Sequence, residues 1–167
     1  SKIMSGSVEP LRDDPFFYNL MAIMGVHPVL GVIIGAIVTG IIQASSATIG
    51  MTIALAGQGI IGLPAAMGLV FGSNIGTTVT ALLACVGTSL NARRAALIHF
   101  LFNTLGAVIF LPFLGPFLNL VQASAYDLPH QIANAHTIFN IINTLLFLPF
   151  LGRLGNLVMT LLPGEEA

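Results

Sequence analysis

Between Asp14 and Arg93 the chain runs for 78 residues without a single Asp, Glu, Lys or Arg. A water-facing surface cannot be tiled from such a stretch. A hydrocarbon solvent selects for it, because a central charge there costs about 2.5–3.5 kcal/mol on insertion scales. Two more charge-free runs follow, 95–126 and 128–152. Charged residues make up only 7% of the 167 positions, against about a quarter in a soluble domain, and 56% are hydrophobic. The expected fold class is all-α, a polytopic helical membrane protein in a plasma or bacterial inner membrane.

The same arithmetic excludes several function classes. A net charge of −1 with five dispersed basic residues leaves no footprint for nucleic acid. The single cysteine, Cys85, supports neither a disulfide framework nor a cysteine metal site. Asp13, Asp14, Asp127, Glu165 and Glu166 all flank apolar segments, so no carboxylate pair sits at depth for magnesium or acid–base work. His99 and His136 are the available bases, but no nucleophile elbow accompanies them. An enzyme is not expected, nor any cofactor. Residues Ser1–Asp14 contain no apolar h-region, and the initial serine is read as the start of a fragment.

Residues 1–27 read as a polar segment followed by a short interfacial helix opened by Asp14 and Pro15. From Pro28 an apolar run reaches Gln43, is interrupted by QASSAT, and continues to Gly57. As one straight helix it would be about 45 Å long, against a hydrocarbon core of about 30 Å, while the second arm alone is too short to cross. A re-entrant hairpin with its tip at residues 43–46 fits both lengths; a kinked, tilted span is the alternative. Residues 64–84 repeat the construction, apolar arms around a polar centre SNIGTT, which predicts a transmembrane helix broken at its middle. A loop carrying Arg93 and Arg94 then leads to a span ending near 114. Residues 115–152 hold a connection and a further span, and 153–167 form a tail. Residues 99–115 align without gaps to 136–152, with nine identities in 17 positions at an offset of 37. The shared elements are His-x-x-Phe-Asn and Phe-Leu-Pro-Phe-Leu-Gly, whose proline is expected to end or kink each span.

The polar residues at depth are hydroxyls and amides. Gln43, Ser45, Ser46 and Thr48 cluster at the first interruption; Ser73, Asn74, Thr77, Thr78 and Thr80 cluster at the second, with Gly72 and Gly76 bracketing the asparagine. Small polar residues in membrane helices often only allow close packing. Two dense clusters exceed what packing requires, and a binding or permeation site is the preferred reading. Broken-helix termini offer N–H groups to an anion and carbonyls to sodium, and hydroxyls serve either. His99 and Asn103, like His136 and Asn140, stand at i and i+4, and are read as interhelical hydrogen-bonding residues.

These residues resemble a known family. QASSAT (43–48) is similar to the QSSSAT signature, and GSNIGTTVTALLA (72–84) to the G-x-N-I-G-T-T signature, of type II sodium-dependent phosphate cotransporters and their bacterial relatives. NARRAALIHFLFN (91–103) resembles that family's continuation, and the likeness covers about residues 28–152. It implies sodium-coupled transport of inorganic phosphate, with each signature occurring twice in two inverted repeats. This chain would be the C-terminal half, completed by a missing N-terminal repeat or a second chain. The resemblance places Gln43, Ser45 and Ser46 at the substrate and sodium region of the hairpin tip, and Asn74, Thr77 and Thr78 at the unwound span. Thr48, Ser73 and Gly76 belong to the same signatures, and Gln43, Ser46, Asn74 and Thr77 are the sodium candidates. Ala44 stands where the signature has its first serine, and Ser73 where alanine is common.

Two other readings stay open: a transporter of another small oxyanion or dicarboxylate, and a non-transporting scaffold whose polar clusters only pack helices. Topology separates the hairpin from the kinked span. Both put Arg93 and Arg153 in the cytoplasm, but only the hairpin puts Lys2 and Arg12 outside. A cysteine at position 2 is therefore expected to react with an impermeant thiol reagent from the outside, and protection there would favour the kinked span.

Overall fold

The computed structural model describes residues 14–164, all of whose regular elements are helices. The polar segment with Lys2, Arg12 and Asp13, and the acidic residues Glu165 and Glu166, lie outside the described residues. In chain order the helices are α1 (Pro15–Val26), α2 (Pro28–Ile42), α3 (Ser45–Gly57), α4 (Leu63–Ala84), α5 (Leu90–Phe110), α6 (Leu114–Ala123), α7 (Leu128–Phe147) and α8 (Leu151–Leu161). Proline within the first two positions pre-sets φ at the start of α1, α2, α4 and α7. Side-chain caps reinforce three starts. Asp14 accepts from the amides of Phe16 and Phe17, Ser89 from Ala92 and Asp127 from His130. The His130 amide, and then its ring, hold the exposed Asp127 carboxyl below its usual pKa.

Three helical stretches are long and apolar enough to cross a membrane: Leu63–Ala84, Leu90–Ala123 and Leu128–Leu161. The last two, 34 residues each, would measure about 51 Å if straight, well beyond a core of about 30 Å. Each is divided by a single 3₁₀ turn, Leu111–Phe113 and Leu148–Phe150, at the repeated Leu-Pro-Phe. The interruption expected at each repeated proline is therefore present as a 3₁₀ turn. The turns leave α5 and α7 at 21 and 20 residues, each matching the core alone. The short α6 and α8 beyond these turns are amphipathic, burying Phe117 and Val121, and Leu154 and Val158.

Helix α4 is the hub, with Ala66, Met67, Val70 and Phe71 fully buried. On one side it lies parallel to α2, backbone against backbone. A Cβ added at Gly68 would come within 2.8 Å of Gly31 Cα; at Gly35, within 2.6 Å of Leu69 O; at Gly76, within 2.6 Å of Thr39 Cβ. Residues 31, 35 and 39 of α2 thus meet 68, 72 and 76 of α4, two small-residue ladders at four-residue spacing. The opposite face of α2 presents Val29, Ile33, Ile37 and Ile41 outward, acceptable in hydrocarbon and an aggregation liability in water. On its other side α4 meets α5 and α7 through an aromatic cluster. Phe71 stands 4.8 Å from Phe139 and 5.9 Å from Phe110, centroid to centroid.

Helices α5 and α7 cross antiparallel, and the sequence repeat is visible as a local two-fold exchange. Phe102 pairs with Phe147 (5.2 Å) and Phe110 with Phe139 (4.8 Å), contacts that interchange under the offset of 37. Gly106 and Asn143, also 37 apart, meet at the centre. A Cβ on Gly106 would lie 2.6 Å from Asn143 Cγ, and Asn143 Nδ2 donates to Phe102 O at 3.4 Å. At one end of the bundle Arg94 donates from Nε and Nη2 to Leu162 O (3.1 and 3.0 Å) and from Nη2 to Gly164 O (2.9 Å), tying the end of α8 to the start of α5. Arg93 and Arg153 lie at that same end, and Asp127 at the other.

One expectation is overturned. Residues 63–84 form an uninterrupted α-helix, so the polar centre does not break it. The cause is local: Ser73 Oγ and Asn74 Nδ2 donate to Val70 O (2.8 and 3.0 Å), Thr77 Oγ1 to Ser73 O (2.7 Å) and Thr78 Oγ1 to Ile75 O (2.6 Å). The polar protons are absorbed by the helix's own carbonyls. Gly72 and Gly76 serve close approach to α2 instead of unwinding. Accordingly Gly72→Ala, whose Cβ would overlap Val32 O and lie 2.7 Å from Ala36 N, is expected to destabilise by about 1–3 kcal/mol or more. Gly115→Ala, with nothing within 4 Å, should be neutral or slightly stabilising; thermal unfolding of the two variants in detergent compares them.

Candidate functional site

The first polar cluster is built by a turn. Helix α2 ends at Gln43, which adopts the left-handed conformation (φ 59°, ψ 24°), its amide bonded to Thr39 O at 2.6 Å. Ala44 follows extended and starts α3. The arms then fold back on each other. Ile34 and Val38 of α2 share a cavity of about 200 Å³ with Thr48, Thr52 and Leu55 of α3, and Thr39 Oγ1 donates to Thr48 Oγ1 at 2.8 Å. A straight helix would hold these two residues about 13 Å apart. The chain therefore reverses at 43–44, the hairpin expected in place of the kinked span.

At the tip Gln43 and Ser46 are exposed and Ser45 half-buried, while Thr48 is buried within the hairpin. The amides of Ala47 and Thr48 reach Ala44 O (3.1 and 3.3 Å). Those of Ser45 and Ser46 open the helix, where no intrahelical acceptor exists, and Ala44 has no side-chain oxygen to cap them. Two backbone donors and the positive end of the α3 dipole thus sit beside two serine hydroxyls.

The second cluster lies on α4. Ser73 and Thr78 are fully buried, Asn74 and Gly76 buried, Thr77 half-buried and Thr80 exposed. Because Ser73, Thr77 and Thr78 each direct their hydroxyl proton to the helix backbone, what these three offer beyond it is oxygen lone pairs, while Asn74, with one Nδ2 proton bonded to Val70 O, keeps Oδ1 as an acceptor and a second amide proton. The tip presents backbone donors beside the oxygens of Gln43, Ser45 and Ser46, and the mid-helix cluster presents mainly acceptors.

Helix α2 joins the two. Gly76 packs against Ala36 O, Thr39 Cβ and Gly40 N, and Thr39 bonds Thr48 across the turn, so Thr48 and Gly76 share one neighbour. Sequence reasoning missed Thr39. The signal was available: with Gly31 and Gly35 it completes a four-residue ladder of small residues facing Gly68, Gly72 and Gly76.

The repeated histidine–asparagine pairs are placed differently from expectation. Asn103 Nδ2 donates to His99 O (3.0 Å) and Asn140 Nδ2 to His136 O (2.7 Å), each within its own helix. Of the histidines it is the backbone carbonyl that receives the bond. The interhelical amide is Asn143, missed from sequence, fully buried, with Oδ1 lacking a hydrogen-bond donor. The mismatch of Asn143 with Gly106 in an otherwise close repeat marks it.

Among the described residues no group of three His, Cys, Asp or Glu is assembled that would hold a metal. A cation at this site would meet neutral oxygens.

Comparison with known proteins gives a family model, described as Na+/Pi-cotransporter, that matches residues 2–148. Among curated relatives, the Bacillus subtilis protein described as uncharacterized YqeW is 41% identical over 102 residues, covering 61% of this chain and 33% of that protein. The human sodium-dependent phosphate transport protein 2C is 45% identical over 95 residues (54% and 16%). The Salmonella typhimurium putative inorganic phosphate export protein YjbB is 38% identical over 93 residues (56% and 17%). The chain thus spans a third or less of each of these relatives. No solved structure matches significantly.

The uncapped start of α3 gives a stability test. Ala44→Ser supplies the hydroxyl that an N-cap uses, and is expected to raise stability by about 0.5–2 kcal/mol, read as a higher unfolding temperature in detergent.

Proposed function

This chain belongs to the Na+/Pi-cotransporter family, and on that premise we propose that it forms part of a sodium-coupled transporter of inorganic phosphate. The observation that carries the reading is the division of labour between the clusters: free amide donors at Ser45 and Ser46, and acceptor oxygens on α4, joined through one α2 residue. An oxyanion is bound by donors at a helix N-terminus. A sodium ion is bound by neutral oxygens, for which Gln43, Ser46, Asn74 and Thr77 are the candidates. Neither is stable alone in a site without fixed charge, since removing an isolated ion from water costs several kcal/mol even after relaxation. Each ion lowers that cost for the other, which is the physical basis of coupling.

The hairpin is re-entrant in this reading. Its arms of 15 and 13 residues reach about 20 Å each, too short for a core of about 30 Å. Their outer ends, at His27 and Gly57, lie away from the Arg93, Arg94 and Arg153 end. The tendency of basic residues to stay in the cytoplasm therefore makes the hairpin enter from outside. A second copy of the two signatures completes the site, contributed by the remainder of a longer polypeptide or by a second chain; the greater length of the relatives supports this. The back-bonded hydroxyls of α4 favour one competing view, a scaffold in which they only satisfy the helix.

Uptake of labelled phosphate by the complete transporter in liposomes is expected to require external sodium. Ser45→Ala, Asn74→Ala and Thr77→Ala are each expected to lower it by about tenfold, the equivalent of one hydrogen bond to a charged group. Sodium-independent uptake would overturn coupling. Loss of protein with unchanged specific activity would favour the scaffold, and stronger competition by arsenate or a dicarboxylate would reassign the anion.

A further inference from the structure

Thr39 belongs to neither polar cluster, yet both converge on it. Its side chain is fully buried, its hydroxyl donates to Thr48 Oγ1 at 2.8 Å, and its Cβ is what a side chain on Gly76 would strike. Thr48 is held a second time, by Thr52 Oγ1 donating to Thr48 O at 2.8 Å. The three side chains are 0, 2 and 1% exposed in otherwise apolar surroundings; the Thr39–Thr48 bond joins the two hairpin arms, and the Thr52 bond lies within α3. With one proton and two lone pairs per hydroxyl, the proton from Thr39 restricts how Thr48 can rotate. Thr48 closes the first turn of α3, whose opening amides belong to Ser45 and Ser46.

We propose that Thr39 is a positioning residue for the phosphate site. Its hydroxyl fastens Thr48 to the α2–α4 seam and so keeps the first turn of α3 in register with the acceptor oxygens of α4. This rests on the reading that the hairpin tip and α4 together hold phosphate and sodium. A residue needed only for its volume would tolerate valine, which keeps both branches and removes the proton donor.

The test uses the complete transporter with Thr39→Val, Thr39→Ser, Thr48→Val and the Thr39→Val/Thr48→Val double variant. It reads the KM for inorganic phosphate at saturating sodium, and the rate of thiol labelling of Ser46→Cys in a Cys85→Ala background. Thr39→Val is expected to raise KM about tenfold, as for one lost hydrogen bond, and to speed labelling at position 46. Thr39→Ser should restore both. The double variant should be no worse than Thr48→Val, because the same bond is lost either way. Unchanged KM and labelling in Thr39→Val, failure of serine to restore them, or additive effects in the double variant would overturn the proposal. If the unsubstituted transporter takes up no phosphate, the transport reading fails, and labelling decides for the clasp alone: faster with valine and restored with serine supports it, unchanged overturns it.

Discussion

Two parallel helices whose backbones touch along three turns set the geometry of everything else. In hydrocarbon there is no hydrophobic gain in pressing one apolar helix on another, so association relies on close van der Waals contact and weak Cα–H···O approaches. Glycine at 31, 35, 68, 72 and 76 removes the side chains that would hold α2 and α4 apart. Because α2 is fixed to α4 in this way, the turn at Gln43 and Ala44 has a fixed origin, and the first turn of α3 returns beside it. Of the polar residues of α4, Ser73, Asn74 and Thr78 are buried, Thr77 is half-buried and Thr80 exposed.

The second constraint is that a buried polar proton must find an acceptor. Helix α4 meets it internally, each side chain closing on a carbonyl three or four residues back, and this keeps the helix whole across a stretch rich in serine, threonine and glycine. The α5–α7 pair meets it only in part: Asn103 and Asn140 bond within their own helices, Asn143 reaches Phe102 O across the pair, and the buried Thr104 hydroxyl has no partner. The hairpin meets it with hydroxyl on hydroxyl. The solution on α4 leaves its hydroxyl oxygens as acceptors, while the uncapped start of α3 leaves backbone donors at the hairpin tip.

Much of this was legible in the residues and some was not. Charge-free length specified membrane helices; arm length specified the hairpin; proline in the repeated Leu-Pro-Phe specified where both long helices give way to a 3₁₀ turn. What failed was the conformation of residues 72–78, since a serine or asparagine beside glycine serves unwinding and back-bonding equally well. The i, i+4 spacing of His99 and Asn103 was correctly read as one face, but spacing does not say whether an amide bonds outward or to its own helix. Glycine was read for its freedom at 72 and 76 when its smallness was what mattered. Only the ladder shared with Gly31 and Gly35, two segments considered together, distinguishes these. The role of each cluster residue toward an ion pair depends on a second set of signatures, and a single chain carrying one copy of each does not specify it.

The meeting of Gly106 and Asn143 at the centre of the duplicated pair has a consequence for descent. Wherever a two-fold axis passes through matter, a side chain and its own image compete for one place, so copies that began identical could not both keep asparagine there. One had to shrink as the other grew, and substitutions at the two positions should travel together across lineages as reciprocal exchanges of large for small. Away from the axis no such competition arises, and there the copies are free to stay alike or to drift.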